Sequence, residues 1–136
     1  MGSERDRDNA PSEQREPRII LDANALISPF QLGYNLDLEL ERTVPGVRPV
    51  VPSSVLRELE QPSKSKDWHV KAALRLARKY EVIDVKGKGD SPIFNLAVSR
   101  GWMVLTQDKR LRYKLNSRGI TVVLVRGRGH LQVMEA

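Results

Sequence analysis

The chain has 136 residues, of which 40% are apolar, and this is enough for one domain with a single closed core. It has no cysteine, which excludes disulfides, thiolate nucleophiles and thiolate metal sites, and its two histidines, His69 and His130, are too far apart for an HExxH-type zinc site. The formal net charge of +6 favours a polyanionic partner such as nucleic acid.

Residues 1–17 have almost no large apolar side chains and contain three basic and five acidic residues. Such a segment buries too little apolar surface to offset the entropy of ordering, so we predict a disordered leader. Residues 18–136 are predicted to form one domain, which carries 20 basic and 12 acidic residues. No apolar run approaches the length of a membrane span and the N-terminus lacks the apolar core of a signal peptide, so we expect a cytoplasmic protein with no membrane contact.

Five short apolar runs, rich in β-branched residues, recur along this domain. They are residues 19–21, 50–51, 82–85, 103–105 and 121–125. Because these runs are apolar at successive positions, they are typical of strands that are buried on both faces of a parallel sheet.

Helical patterns lie between the apolar runs, around residues 36–42, 54–60, 66–80, 92–100 and 109–116. Ser53 and Ser91 stand where helix N-caps belong, and Pro92 suits the first helical position. The repeated alternation of strand and helix predicts a three-layer α/β/α sandwich around a parallel sheet, joined by right-handed crossovers.

Carboxylates dominate the positions that follow the predicted strands. The four acids at or after successive strand ends are Asp22, Glu58, Asp90 and Asp108. Since ligands of open α/β sheets bind at the carboxyl ends of the strands, we expect these side chains to converge. At an effective dielectric constant of about 20 and a separation of about 5 Å, each like-charged pair costs on the order of 3 kcal/mol, so the cluster requires protons or a cation.

Ligation by oxygen alone favours Mg²⁺ or Mn²⁺ over zinc, and such an ion can activate water for attack on phosphorus. We therefore expect phosphodiester hydrolysis, with Asp22, Asp90 and Asp108 as metal ligands, directly or through water. Glu58 would complete the acidic pocket and assist proton transfer.

Other polar residues are candidates for supporting roles around this acidic pocket. Asn24 and Thr106 could orient a ligand or a water through hydrogen bonds. The candidates for holding the nucleic-acid backbone are Arg110, Arg112, Lys114, Arg126 and Arg128.

Simpler structural interpretations stand beside these roles. Asp108 fits a helix N-cap, Asp22 fits a loop carboxylate that accepts local backbone hydrogen bonds, and Glu58 fits a solvated helix face. Asn24 and Thr106 could equally cap or turn the chain. Asp90 is harder to explain in this way, because a cap at Ser91 leaves its side chain without a structural task.

Two other functions also fit the pattern. A phosphoacceptor or phosphatase domain places an aspartate after the first strand and Thr and Lys after later ones, and Asp22, Thr106 and Lys109 loosely permit it. The second is a non-catalytic RNA-binding assembly factor that uses only the basic surface. Trapping of an acyl phosphate would identify the first, and RNA binding without cleavage the second.

Four segments resemble the motifs of PIN-domain ribonucleases. They are ILDANAL at 20–26, VPSSVLREL at 51–59, DSPI at 90–93 and LTQDKRL at 105–111, within a similarity that covers about residues 18–127. Residues 29–31 (PFQ) and 40–42 (LER) are most similar to the archaeal branch related to small-subunit rRNA-processing nucleases, and VapC-type toxins share the fold.

The resemblance implies a five-stranded parallel sheet and Mg²⁺- or Mn²⁺-dependent endoribonuclease activity, in rRNA processing or as a toxin. It implies RNA as substrate, and as partners a second copy of the chain, an antitoxin or a pre-ribosome. One position departs from the family pattern: Ser91 stands where many members carry a further acid, which argues against tight binding of a second metal ion.

Overall fold

A computed structural model of the chain describes residues 16–64 and 66–134. Most of the predicted leader, residues 1–15, lies outside the described residues. Its last two residues contact the second strand of the sheet. The backbone N–H of Arg48 donates to the carbonyl of Pro17 at 2.9 Å, and the Arg48 guanidinium lies 3.4 Å from the carboxylate of Glu16.

The described strands form one sheet of six, in the order β3-β2-β1-β4-β5-β6. The strands are β1 (Arg18–Leu21), β2 (Arg48–Pro52), β3 (Glu81–Ile83), β4 (Met103–Leu105), β5 (Val122–Arg126) and β6 (His130–Met134). Strand β1 is central, and Ile20 lies opposite Val50 of β2 and Val104 of β4, both in parallel register. All three side chains have no exposed surface, as expected for strands that are covered on both faces.

Six α-helices connect the strands in the described part of the chain. They are α1 (Ala23–Leu32), α2 (Leu36–Thr43), α3 (Ser53–Leu59), α4 (Trp68–Ala77), α5 (Asp90–Arg100) and α6 (Lys109–Ser117), with a short 3-10 helix at Pro62–Lys64. The predicted three-layer α/β/α sandwich is confirmed. None of the helices in the described ranges is long and apolar enough to cross a membrane.

Helix α1 is absent from the sequence prediction, because Pro29 within it and Gly33 after it are typical of a turn. The helix begins at Ala23, with Asp22 as its N-cap, and ends at Leu32. Its C-cap, Gly33, adopts the left-handed conformation with φ +79°. The N–H of Gly33 donates to the carbonyl of Pro29 at 2.9 Å and closes the last turn. Helix α1 thus starts immediately after β1 and places Asp22 at the end of the central strand.

The predicted N-caps at Ser53 and Ser91 are wrong. Helix α3 already includes Ser53, whose hydroxyl instead accepts the N–H of Val85 at 2.9 Å. Helix α5 begins at Asp90, and its cap is Gly89 with φ +74°. Asp90 is therefore part of the first helical turn, where its negative charge is favoured by the helix dipole.

The five expected parallel strands are present, but the sheet has six strands in the described residues, because a further strand pairs antiparallel with β5. The segment from Arg126 to Gly129 is the hairpin turn between them, and the N–H of Gly129 donates to the carbonyl of Arg126 at 3.2 Å. Helix α2 holds the added strand, since Arg42 donates to the carbonyl of Leu131 at 3.0 Å. The last apolar residues of the chain alternate with polar ones, and this period-2 signal is too short to predict a strand.

The turn at Gly129 leads to a testable prediction. A Cβ added there would clash with the Cβ, Cγ and Cδ1 atoms of Tyr34, at a φ of +120°. We expect Gly129→Ala to lower the free energy of unfolding by roughly 2–4 kcal/mol, measured by denaturant titration. Gly127→Ala is the matched control in the same turn: its φ is +56° but nothing lies within 4 Å of the added Cβ, so the cost should be about 1–2 kcal/mol. Equal losses in the two variants would contradict the close approach of Tyr34.

Candidate active site

The four predicted acids line one cleft of about 250 Å³ at the carboxyl ends of β1 and β4. They come from four segments that are far apart in sequence, and the residues of the cleft that carry polar side chains are Asp22, Asn24, Glu58, Asp90 and Asp108. The parallel pairing of β1 with both β2 and β4 brings these segments to the same edge of the sheet. The convergence expected from the sequence is therefore present.

Asp22 is the most buried of these acids, with 9% of its surface exposed. Its Oδ1 accepts the N–H of Ala25 at 2.8 Å as the N-cap of α1, and its Oδ2 accepts the hydroxyl of Thr106 at 2.5 Å. Burial raises the pKa of Asp22 to about 6; hydrogen bonds from Thr106 and Ala25 oppose the shift, and the charges of Glu58 and Asp108 add to it.

Thr106 joins two of the acids from a fully buried position, with 1% of its surface exposed. While its hydroxyl donates to Asp22, its oxygen accepts the backbone N–H of Asp108 at 3.1 Å. One side chain thus fixes both the carboxylate after β1 and the start of the loop after β4. The supporting role of Thr106 at a metal site stays a prediction.

Asp108 and Asp90 face each other across the cleft from the starts of α6 and α5. The Oδ1 of Asp108 caps α6 by accepting the N–H groups of Arg110 and Leu111 at 2.9 and 3.0 Å. The pKa of Asp90 is raised, first by burial and then by the charge of Asp108 and a hydrogen bond with it. The charges of Lys114 and Arg110 act in the opposite direction.

Glu58 reaches the cleft from α3, and one of its oxygens is bound by a cation. The ammonium of Lys64 lies 3.2 Å from its Oε2. Lys64 is not among the predicted site residues, because a lysine six residues after a glutamate, beyond the end of the helix, has no recognisable spacing. Asn24, in the first turn of α1, lines the same cleft and is exposed.

The donor set of the cleft suits a hard divalent cation, since its charged ligands are all carboxylates. Burial and mutual repulsion disfavour the ionised forms of Asp22 and Asp90, and a cation would remove that penalty. Within residues 16–64 and 66–134, no group of three acidic or histidine side chains is arranged to hold an ion directly. Ligation therefore requires bridging waters or rotation of the carboxylates.

The predicted basic residues divide into three groups. Arg110 and Lys114, four residues apart on α6, lie near enough to Asp90 to lower its pKa. Arg112 lies between them on another side of the helix and is half-buried. Arg126 and Arg128 are exposed in the β5–β6 hairpin, where the Nε of Arg126 donates to Gln132 at 3.0 Å.

Comparison with known families gives a match over most of the domain. Residues 19–128 match the model of a family described as PIN like domain. The chain is 31% identical over 125 residues to Ribonuclease VapC4 of Methanocaldococcus jannaschii, which covers 85% of this chain and 95% of that protein. It is 35% identical over 77 residues to Ribonuclease VapC9 of Archaeoglobus fulgidus, covering 54% and 57% of the two chains.

Solved structures have the same fold. The PIN domain endonuclease Utp24 superimposes with a TM-score of 0.75 at 23% identity, over 88% of this chain and 92% of that one. A domain of a functionally unknown protein from Methanocaldococcus jannaschii superimposes with a TM-score of 0.61 at 14% identity, over 82% and 92%. At these identities the likeness establishes the architecture of the chain and no more.

Proposed function

This chain belongs to the PIN-like domain family, and from that premise we propose that it is a metal-dependent endoribonuclease. The observation that carries the proposal is the convergence of four carboxylates, from four separate segments, on one cleft. The similarity to a ribonuclease over 95% of that enzyme's length supports RNA as the substrate.

In the proposed site, Asp22, Asp90 and Asp108 would hold one Mg²⁺ or Mn²⁺, directly or through water. Bound there, the ion supplies an activated water and neutralises charge on the phosphoryl oxygens. Glu58 completes the pocket and assists proton transfer, since its carboxylate lines the cleft and is partly exposed to solvent.

The remaining residues of the site orient the substrate and the acids. Thr106 fixes Asp22 and Asp108, and Asn24 offers an exposed amide at the mouth of the cleft. Positive charge beside the acids would hold the RNA backbone. Arg110 and Lys114 are the basic residues whose charges lower the pKa of Asp90. Arg112, Arg126 and Arg128 stay candidates for more distant backbone contacts.

The phosphoacceptor alternative has less support from the geometry. A phosphoacceptor aspartate must expose an oxygen for attack on an incoming phosphoryl group. Asp22 is 9% exposed and both of its oxygens already accept hydrogen bonds. The hydroxyl of Thr106 is also buried and engaged with Asp22.

The cellular role is proposed to be that of a VapC-type ribonuclease in the cytoplasm, with an antitoxin as partner. This choice rests on the two VapC ribonucleases among its relatives, whereas the likeness to Utp24 is one of fold. A role in rRNA processing with a pre-ribosome, and a homodimer, are the remaining proposals from the family resemblance.

Metal removal tests the proposal directly. We expect cleavage of unstructured and structured RNA in Mn²⁺ or Mg²⁺, loss of cleavage to background in EDTA, and recovery when the metal is restored. The measurement is gel analysis of end-labelled RNA. RNA binding that is equal with and without chelator, and never followed by cleavage, would identify a non-catalytic binding factor.

A further inference from the structure

A second pocket, of about 420 Å³, adjoins the acidic cleft and shares Glu58 and Gly89 with it. Its lining differs in charge from that of the cleft. Three cationic side chains, Arg57, Lys64 and Lys88, surround the single carboxylate of Glu58. A surplus of positive charge thus lies directly beside the four acids that would otherwise repel an anionic substrate.

Two of the three cations of this pocket, Arg57 and Lys88, have a charge that is available to a ligand. The guanidinium of Arg57 donates to the carbonyls of Val85 and Gly87 at 3.2 and 3.0 Å, which fixes its position without neutralising it. Lys64 offsets the charge of Glu58 at 3.2 Å. Lys88 is exposed in the loop before α5 and makes no ion pair with the described residues.

Ser54 gives a second, independent indication of a ligand. It lines the pocket, and only 7% of its surface is exposed. Its hydroxyl has no hydrogen-bond partner within the described residues. Buried hydroxyls are nearly always paired, since leaving one unpaired is costly. The hydroxyl oxygen has less than 1 Å² of accessible surface, so a phosphate oxygen in the pocket reaches it only when the Ser54 side chain rotates toward the pocket.

We propose that this cationic pocket binds a backbone phosphate of the RNA next to the phosphodiester that is cleaved in the acidic cleft. A backbone phosphate has only acceptor oxygens, and the pocket is lined by two ammonium groups and a guanidinium, all of which donate. The Ser54 hydroxyl is a further donor once its side chain rotates toward the pocket. The inference rests on the proposed function, because it places the neighbouring nucleotide of the same substrate.

Lys88→Gln tests the charge, and Lys86→Gln is the matched control, since Lys86 is exposed in the same loop but does not line the pocket. We expect Lys88→Gln to raise KM for RNA roughly three- to tenfold with little change in kcat, and to reduce the slope of log K against log salt by about 0.7. Equal effects of the two variants would overturn the proposal in favour of a generally basic surface.

Ser54→Ala gives a readout that a purely structural role would not produce. Removing an unpaired buried hydroxyl should raise the Tm of the free protein by about 2–6 °C, while RNA affinity falls. A variant that gains stability and binds RNA as tightly as the wild type would overturn the role of Ser54 as a phosphate donor.

Substrate chemistry locates the phosphate. The measurement is the affinity of a series of RNAs, each with one neutral methylphosphonate linkage at a different distance from the cleavage site. The wild type should bind more weakly when the neutral linkage occupies one position adjacent to that site. The Lys88→Gln variant should bind that RNA as tightly as it binds the unmodified one. If the wild type cleaves RNA but shows no such position, this inference fails and the proposed function stands. If the wild type neither binds nor cleaves RNA, the proposed function fails first.

Discussion

Replacing Asp22 with Asn is expected to abolish RNA cleavage and, in metal-free protein, to stabilise the fold. The loss of activity follows from removing the charge of a proposed metal ligand. Substituting a group that only supports a ligand typically costs 10–100-fold, so loss of a ligand should cost at least about 100-fold. Initial rates of cleavage at saturating Mn²⁺ measure this effect.

The gain in stability follows from the raised pKa of Asp22. Because its pKa is about 6 in the folded protein, against an ordinary value of 3.8, the folded state binds more protons than the unfolded state between these limits. Stability present below pH 4 is therefore lost as the pH rises through 6. The shift in pKa corresponds to a loss of about 3 kcal/mol in the free energy of unfolding of the wild type. The Asp22→Asn variant should not show this loss, because Asn carries no charge.

Denaturant unfolding in EDTA at pH 4 and pH 7.5 measures this second effect. The wild type should lose stability between the two values, and the Asp22→Asn variant should lose much less. Asn can keep the cap of α1, because its amide oxygen still accepts the N–H of Ala25. Asp37→Asn is a suitable control, since Asp37 is exposed on α2 and does not line the cleft. Full activity of the Asp22→Asn variant in saturating metal would contradict its role as a ligand.

The cleft could be predicted from the sequence because its position depends on the topology of the sheet. Parallel strands that alternate with helices bring their carboxyl ends to one edge, so Asp22 after β1 and Asp108 after β4 had to be neighbours. The structural and functional interpretations of these two residues turn out to be compatible. Each uses Oδ1 to cap a helix, and this cap fixes the carboxylate at the cleft.

The features that sequence reasoning missed depend on contacts between distant residues. No local pattern shows that Lys64 pairs with Glu58, or that the hydroxyl of Ser54 is left unpaired in a pocket. Helix α1 was missed because local propensity at Pro29 argues against a helix, whereas tertiary packing buries that residue and outweighs propensity. Positions fixed by topology were predictable, and those fixed by packing were not.

Thr106→Val should strongly impair the enzyme although Thr106 is not itself proposed as a ligand. Valine keeps the shape of threonine but removes the hydroxyl that donates to Asp22 at 2.5 Å and accepts from the N–H of Asp108 at 3.1 Å. Both partners are then left unpaired, so the free energy of unfolding should fall by about 1–3 kcal/mol. Cleavage should fall by roughly 10–100-fold, because both carboxylates lose the group that orients them.

A metal titration separates this positioning role from simple loss of stability. Thr106→Val should need a higher Mn²⁺ concentration for half-maximal cleavage, since the hydrogen bond that lowers the pKa of Asp22 is gone and protons compete better for its carboxylate. Thr106→Ser keeps the hydroxyl and should stay close to the wild type in metal requirement, even if loss of the methyl group lowers its stability. If Val and Ser variants required the same metal concentration, Thr106 would act only through packing, and the alignment of Asp22 with Asp108 would have to come from their helix caps alone.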